Sequence, residues 1–299
     1  VPTGTLVEIG TAQEYLAFAT DFKAGVYGNA DTKVVVEVTD DLDFEGLTFA
    51  TVDNGGTYNF AGTWNGNGYA MKNIKSTNTP MFILPKGATL KGIVFDSSCV
   101  FTKTSALGGH WGAIARALDA GSITDCHLYC DTYIDYGAGG ALGYGGMVGR
   151  LGGTMKNCTM AGSFIHKREA KTQMSAGLYV GGMVGFVNTG AVMEDCMMAG
   201  DFIYEDCDLK PVDSAAELYF NIGGMVGRLA GTMKNCVMKG NAEFMEHLRN
   251  VFFGGVLGDA EGTSSVFDNN RFEGNMIIVQ KEATTDVYKR FFVGGVIGR

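Results

Sequence analysis

Short apolar segments bounded by glycine run through this chain, and their spacing is that of strands. Met155, Cys158 and Met160 show it: the steps are three and then two residues. Two is the strand period, and the extra residue turns a corner between consecutive strands. One stretch has the helical period instead, residues 11–24, TAQEYLAFATDFKA. There Thr11 and Glu14 have capping-box spacing, Leu16, Ala19 and Phe22 share a face, and Gly25 stops the run. A strand, KVVVEVTDDLDF, follows. Next comes a hairpin-like stretch, YNFAGTWNGNGYAMKNI, with Asn65-Gly66 and Asn67-Gly68 as turn signals.

Beyond it the pattern repeats. GGMVGRLGGTMKNC at 145–158 returns at 223–236 with Gly152 replaced by Ala230, the only change. Gly-Gly-apolar-apolar-Gly recurs at 145–149, 181–185, 223–227, 254–258 and 294–298, with a degenerate WGAIAR at 111–116. The steps between copies run from 31 to 42 residues. The second half of the unit places Cys126, Cys158, Cys196, Cys236 and Asn270 at one position, preceded by Asp125, Asn157, Asp195, Asn235 and Asn269. Ile93 holds that position in a weaker, earlier copy, ATLKGIVF.

Asn and Asp are the non-glycine residues that best tolerate a left-handed corner. A unit of this length, with strand periodicity and one such corner, is one turn of a solenoid. The fold class predicted is all-β, a right-handed parallel β-helix with a short N-terminal capping helix. Residues 1–75 would form the cap (helix 11–24) and the first strands. Residues 76–299 would add about six further repeats to the same continuous domain. The chain stops at GGVIGR, halfway through a repeat, so this end is expected to continue, to be covered, or to associate edge to edge.

The N-terminal signature (VVVEVTDDLDFEG, then FAGTWNGNGYAMKNI) followed by GGMVGR…MKNC units resembles the GLUG-motif β-helix proteins. Such repeats occur in bacterial surface and adhesin-like proteins and beside the protease domain of IgA-specific metallopeptidases. The resemblance spans about residues 8–299 and implies no catalytic residues. It implies a secreted or outer-surface bacterial protein, lipid-anchored through a segment outside this chain, with a glycan or a host or bacterial surface protein as partner. The repeats here are longer than the compact form, because inserts lengthen their variable half.

Charge and chemistry narrow this further. A formal net charge of −9 disfavours nucleic acid and anionic membrane as partners. No apolar run reaches eighteen residues, so no membrane insertion by this chain is expected. Four of the seven cysteines share one coil position and read as a buried, reduced ladder rather than a metal site. Cys99, Cys130 and Cys207 show no framework spacing.

There is no HExxH, GxSxG or P-loop, and no two histidines pair at a ligand spacing; His127 reads as a surface side chain. Neither a cofactor nor a metal is expected. The alternative reading is a polysaccharide lyase or glycoside hydrolase, for which Asp206, Asp208, Asp213 and Glu169 beside Arg168 are the available acids. Added length must leave the coil as loops, expected within 130–144, 165–180, 203–221, 241–253 and 279–292 on one side. Tyr133, Tyr136, Tyr144, Tyr179, Tyr204 and Tyr219 fall there as candidate ligand-binding residues, with Tyr288 also on that side.

Overall fold

The computed structural model describes residues 4–27, 33–105, 109–135, 142–167, 178–205, 219–246, 251–280 and 291–299. The strands pair in parallel throughout, each with its counterpart one turn away, which makes a parallel β-helix. Among the described residues, four sheets wall the coil. Sheet I begins at Leu6–Ile9 and forks at the long strand Ala115–Thr124. Its long branch continues through Thr154–Lys156, Val192–Glu194, Thr232–Lys234 and Val266–Asp268. Its short branch runs through Val148–Leu151, Val184–Val187, Val226–Leu229 and Leu257–Ala260.

Sheet II has eight strands, from Leu42–Asp43 to Arg271–Phe272, and six of them lie after residue 76. Sheet III runs from Lys75–Thr77 to Met276–Gln280. Sheet IV runs from Leu142–Gly145 to Phe291–Gly294.

The repeat explains the register. Gly145, Gly181, Gly223, Gly254 and Gly294 stand in line across sheet IV, and Val148, Val184, Val226 and Leu257 across the short branch of sheet I. The motif's later glycines have steric reasons. A Cβ on Gly182 would lie 2.2 Å from Met198 Sδ, inside the methionine packing. One on Gly227 would lie 2.5 Å from the Val180 amide nitrogen, where sheet IV and the short branch touch backbone to backbone. Only glycine fits that second contact.

At the corner between sheets I and II, Asp125, Asn157, Asp195, Asn235 and Asn269 all adopt φ near +50° (49–54°). Gly92 holds the same place in the earlier turn with φ 64°. Side-chain amides tie rungs together: Asn157 donates to Asp125 at 2.6 Å, Asn235 to Asp195 at 3.1 Å and Asn269 to Asn235 at 2.8 Å. Beside them Cys126, Cys158, Cys196 and Cys236 are buried, at most 1% exposed, and free. The neighbouring thiol, and then burial, push the Cys158 and Cys196 thiols well above their ordinary range. Asn270 closes the ladder, its Oδ1 accepting from Cys236 N and its Nδ2 donating to Met233 O.

Helix α1 (Ala12–Lys23) covers the first turn. Thr11 Oγ1 accepts from Glu14 N, and the Glu14 carboxylate reaches back to Gly10 N, one residue before the expected partner. The buried face is Ala12, Tyr15, Phe18, Ala19 and Phe22; Leu16 is only partly buried at its margin. Tyr15 and Phe18 pack against Trp64 at 5.8 and 6.1 Å between ring centroids.

Two expectations need correction. Thr63–Asn65 and Ala70–Lys72 do not form a hairpin. The first pairs in parallel with sheet I and the second with sheet II, so Gly66-Asn67-Gly68 turns a coil corner. The Asn-Gly signal marked a real turn, but both edges were already taken by parallel neighbours. Nor are the insert ranges loops from end to end. Their margins are strands of sheets III and IV, such as Asp131–Ile134 and Leu178–Gly181.

Candidate functional site

Sheet IV and the short branch of sheet I meet at the glycine contact, and their outward residues converge there in an outer corner. On sheet IV one row reads Gly143, Tyr179, Asn221, Phe252, Phe292 in register. On the short branch the row is Arg150, Phe186, Arg228, Asp259. Arg299 comes next, two residues beyond Ile297, which bridges to Leu257. Apart from Phe252 and Phe292, neither row repeats a residue type from one turn to the next.

These side chains pack on one another. The Arg228 guanidinium lies 4.8 Å over the Tyr179 ring and 5.5 Å over Phe186, and donates to Tyr179 Oη at 2.6 Å. Its other terminal nitrogen pairs with Glu261. Arg299 sits 4.3 Å over Phe252 and grips Asp259 through two nitrogens, at 3.0 and 3.3 Å. Phe252 stacks between Tyr219 and Phe292. It is buried yet stands outside the cluster that fills the coil. Asn221 donates to Asp259 at 3.2 Å, and Arg150 pairs with Asp119 at 2.7 Å.

At the head of the corner His110 Nδ1 accepts from Gly143 N at 2.9 Å. Burial, with the Arg150 and Arg116 charges, lowers the His110 pKa to about 4. Arg116 feels the charge of the buried Asp53, whose carboxylate accepts from the Ile83 and Leu84 amides. Burial outweighs those bonds and raises the Asp53 pKa to about 6.

The candidate tyrosines separate. Tyr133 is 37% exposed on sheet III, and Tyr179 and Tyr219 are partly exposed at the outer corner. Tyr144 and Tyr204 are fully buried inside the coil and are corrected to core residues. The error at Tyr144 is one of register. It aligns with Val180 rather than with Tyr179, and one residue along a strand changes the face. Tyr204 lies in the inward row of sheet III, stacked 4.9 Å from the equally buried His166. His127 is partly exposed.

Tyr136, Tyr288, His247, Cys207 and the acids Glu169, Asp206, Asp208 and Asp213, with Arg168, lie outside the described residues. Among the described residues no group of three His, Cys, Asp or Glu side chains is arranged to hold a metal ion. Sequence reasoning missed Phe186, Arg228, Asn221, Asp259 and Arg299. Arg228 and Arg299 recur, with Arg150, as the residue that closes the glycine motif, while Phe186, Asn221 and Asp259 show only as variable residues at stacked positions.

No family model matches the chain, and no curated protein matches it. Among solved structures it is similar to a protein from Bacteroides ovatus that carries the provisional designation immunoglobulin A1 protease. The identity is 16%, the TM-score 0.62, and the match covers 98% of this chain and 84% of that one. At such identity the likeness is one of fold, and it agrees with the parallel β-helix described above.

Proposed function

We propose that this chain is a non-catalytic recognition module of a secreted or surface-exposed bacterial protein, related to the GLUG-repeat β-helices that its motifs resemble. The observation that carries the reading is the outer corner. There a scaffold of similar turns presents a changing row, Gly143, Tyr179, Asn221 and Phe252, with Tyr179 and, beside the row, Tyr219 partly exposed. The stretch of sequence between the strands of sheets III and IV varies in length from turn to turn, and binding residues concentrate where variable segments meet a rigid scaffold. The motif resemblance and the fold likeness to a protein designated a protease support a module accompanying another activity; the resemblance supplies no catalytic residue to carry over.

The test exposes the purified chain to a glycan array and to extracts of host and bacterial surface protein, then repeats both with Tyr133, Tyr179 and Tyr219 all changed to Ala. Retention by the parent and loss in the triple variant are expected, with no new reducing ends released from any retained polysaccharide. Cleavage by the purified chain would replace this reading with an enzymatic one. A parent that retains nothing would leave the coil a spacer.

A further inference from the structure

We infer that the outer corner takes an uncharged, hydroxyl-rich glycan chain lying along the coil axis. This rests on the recognition reading above and names its ligand class. Three features point the same way.

The corner is electrically balanced from within. Arg150 faces Asp119, Arg228 faces Glu261, Arg299 faces Asp259, and Arg116 feels Asp53. A polyanion binds by neutralising unpaired cations, and each described arginine here already faces a carboxylate. On a chain of net charge −9 that disfavours an acidic polymer.

The corner also holds unused hydrogen-bonding groups of both kinds. Asn221 is 3% exposed, and its Oδ1 is buried without a donor, while its Nδ2 is engaged by Asp259. The Nε–H groups of Arg150 and Arg228 are likewise buried without acceptors. A buried polar atom left unpaired costs free energy, which a ligand group recovers by pairing it. A hydroxyl both donates and accepts, so a chain of hydroxyls suits an amide oxygen and a guanidinium N–H alike. A carboxylate only accepts and leaves Asn221 Oδ1 unanswered.

Lastly, flat rings are held in place. Tyr179 is fixed by the guanidinium over its ring and by the bond at its hydroxyl, and Tyr219 by Phe252. Rings that lose no rotamer freedom on binding make good platforms for the C–H faces of sugars. The rows advance by one strand spacing of about 4.8 Å per turn, the scale of one sugar ring in an extended chain. A peptide gains most from backbone pairing along a free strand edge. Here the sheets meet face on, with backbone groups already paired across the rungs.

Affinity electrophoresis of the full chain tests this, in native gels cast with neutral polysaccharides (β-glucan, galactomannan, arabinoxylan) or acidic ones (polygalacturonate, hyaluronate). The expected result is retardation by at least one neutral polymer. Tyr179→Ala should weaken it at least tenfold, and Tyr179→Phe, which keeps the ring and loses the hydroxyl, by less. Circular dichroism and an unchanged thermal midpoint would show both variants folded. Retardation by acidic polymers alone, or by none, overturns the ligand class. The recognition reading still stands in that case if the array finds another ligand that the triple tyrosine variant loses. Neutral binding that survives Tyr179→Ala but is lost when Tyr133 is also changed overturns the corner as its place while leaving recognition intact.

Discussion

Two corners of this coil are built differently and do opposite things. Between sheets I and II four successive rungs repeat an Asn or Asp in the left-handed region and then a buried Cys, with Gly92-Ile93 before them and Asn269-Asn270 after. Between sheet IV and the short branch of sheet I the stacked positions change at each rung, from Gly143 to Tyr179, Asn221 and Phe252. Stacking rewards repetition, because like side chains satisfy one another from turn to turn, as the Asn-to-Asp hydrogen bonds do. A stacked position that varies is therefore not set by the coil. The first corner holds the fold, and the second is free to carry recognition.

The largest expected effect lies in the repeated corner. Cys196→Asp places a charge where the neighbours are thiols and backbone carbonyls. It should lower stability by about 3–5 kcal/mol, read from urea unfolding. Full retention of the parent midpoint would show that the ladder is not packed as described.

The head of the outer corner gives a pH signature. The folded pKa of Asp53, about 6, lies above its ordinary 3.8, so the folded protein holds the extra proton between these values. Its contribution therefore falls as pH rises from about 4 to 6, by at most about 3 kcal/mol. His110 acts oppositely. Its folded pKa, about 4, lies below the ordinary 6.5, so the unfolded chain holds the extra proton and stability rises with pH across this window. Asp53→Asn should leave stability climbing with pH from 4 to 6.5, and His110→Gln should leave it falling. Unfolding midpoints across that range decide, and identical slopes in both variants would contradict the burial of these groups.

Smaller again is the backbone term at the repeated corner. Asn157→Ala forces a Cβ residue with no amide into φ 53° and removes the bond to Asp125. A loss of about 1–2 kcal/mol is expected. Asn157→Gly, which relieves the backbone but not the hydrogen bond, should lose less. Equal losses would assign the whole effect to the side chain.

How much of this could be read beforehand follows from the same contrast. The cysteine ladder, the left-handed corner and the parallel glycine strands were legible because periodicity writes the same residues at the same places. The coil corner at Gly66-Asn67-Gly68 was misread as a hairpin, since a local turn signal does not say whether the strands beside it pair with each other. Tyr144 and Tyr179 both fall at the end of an insert range and are grouped there, yet one residue of offset puts one in the core and the other outside. The contact of Arg228 with Tyr179 joins residues 49 apart in different sheets. The repeated GGMVGR marks Arg228, but nothing in the varying row of sheet IV announces Tyr179 as its partner.

Tyr179→Ala gives the smallest expected change in stability and the most direct test of the division between the corners. Urea unfolding and retention in a neutral-polysaccharide gel should be measured on one preparation of the variant. A partly exposed outer side chain contributes little to the coil, so the unfolding free energy should stay within about 1 kcal/mol of the parent while retention is lost. A loss of several kcal/mol would make the outer corner structural like its counterpart, and retention equal to the parent's would remove its role in recognition.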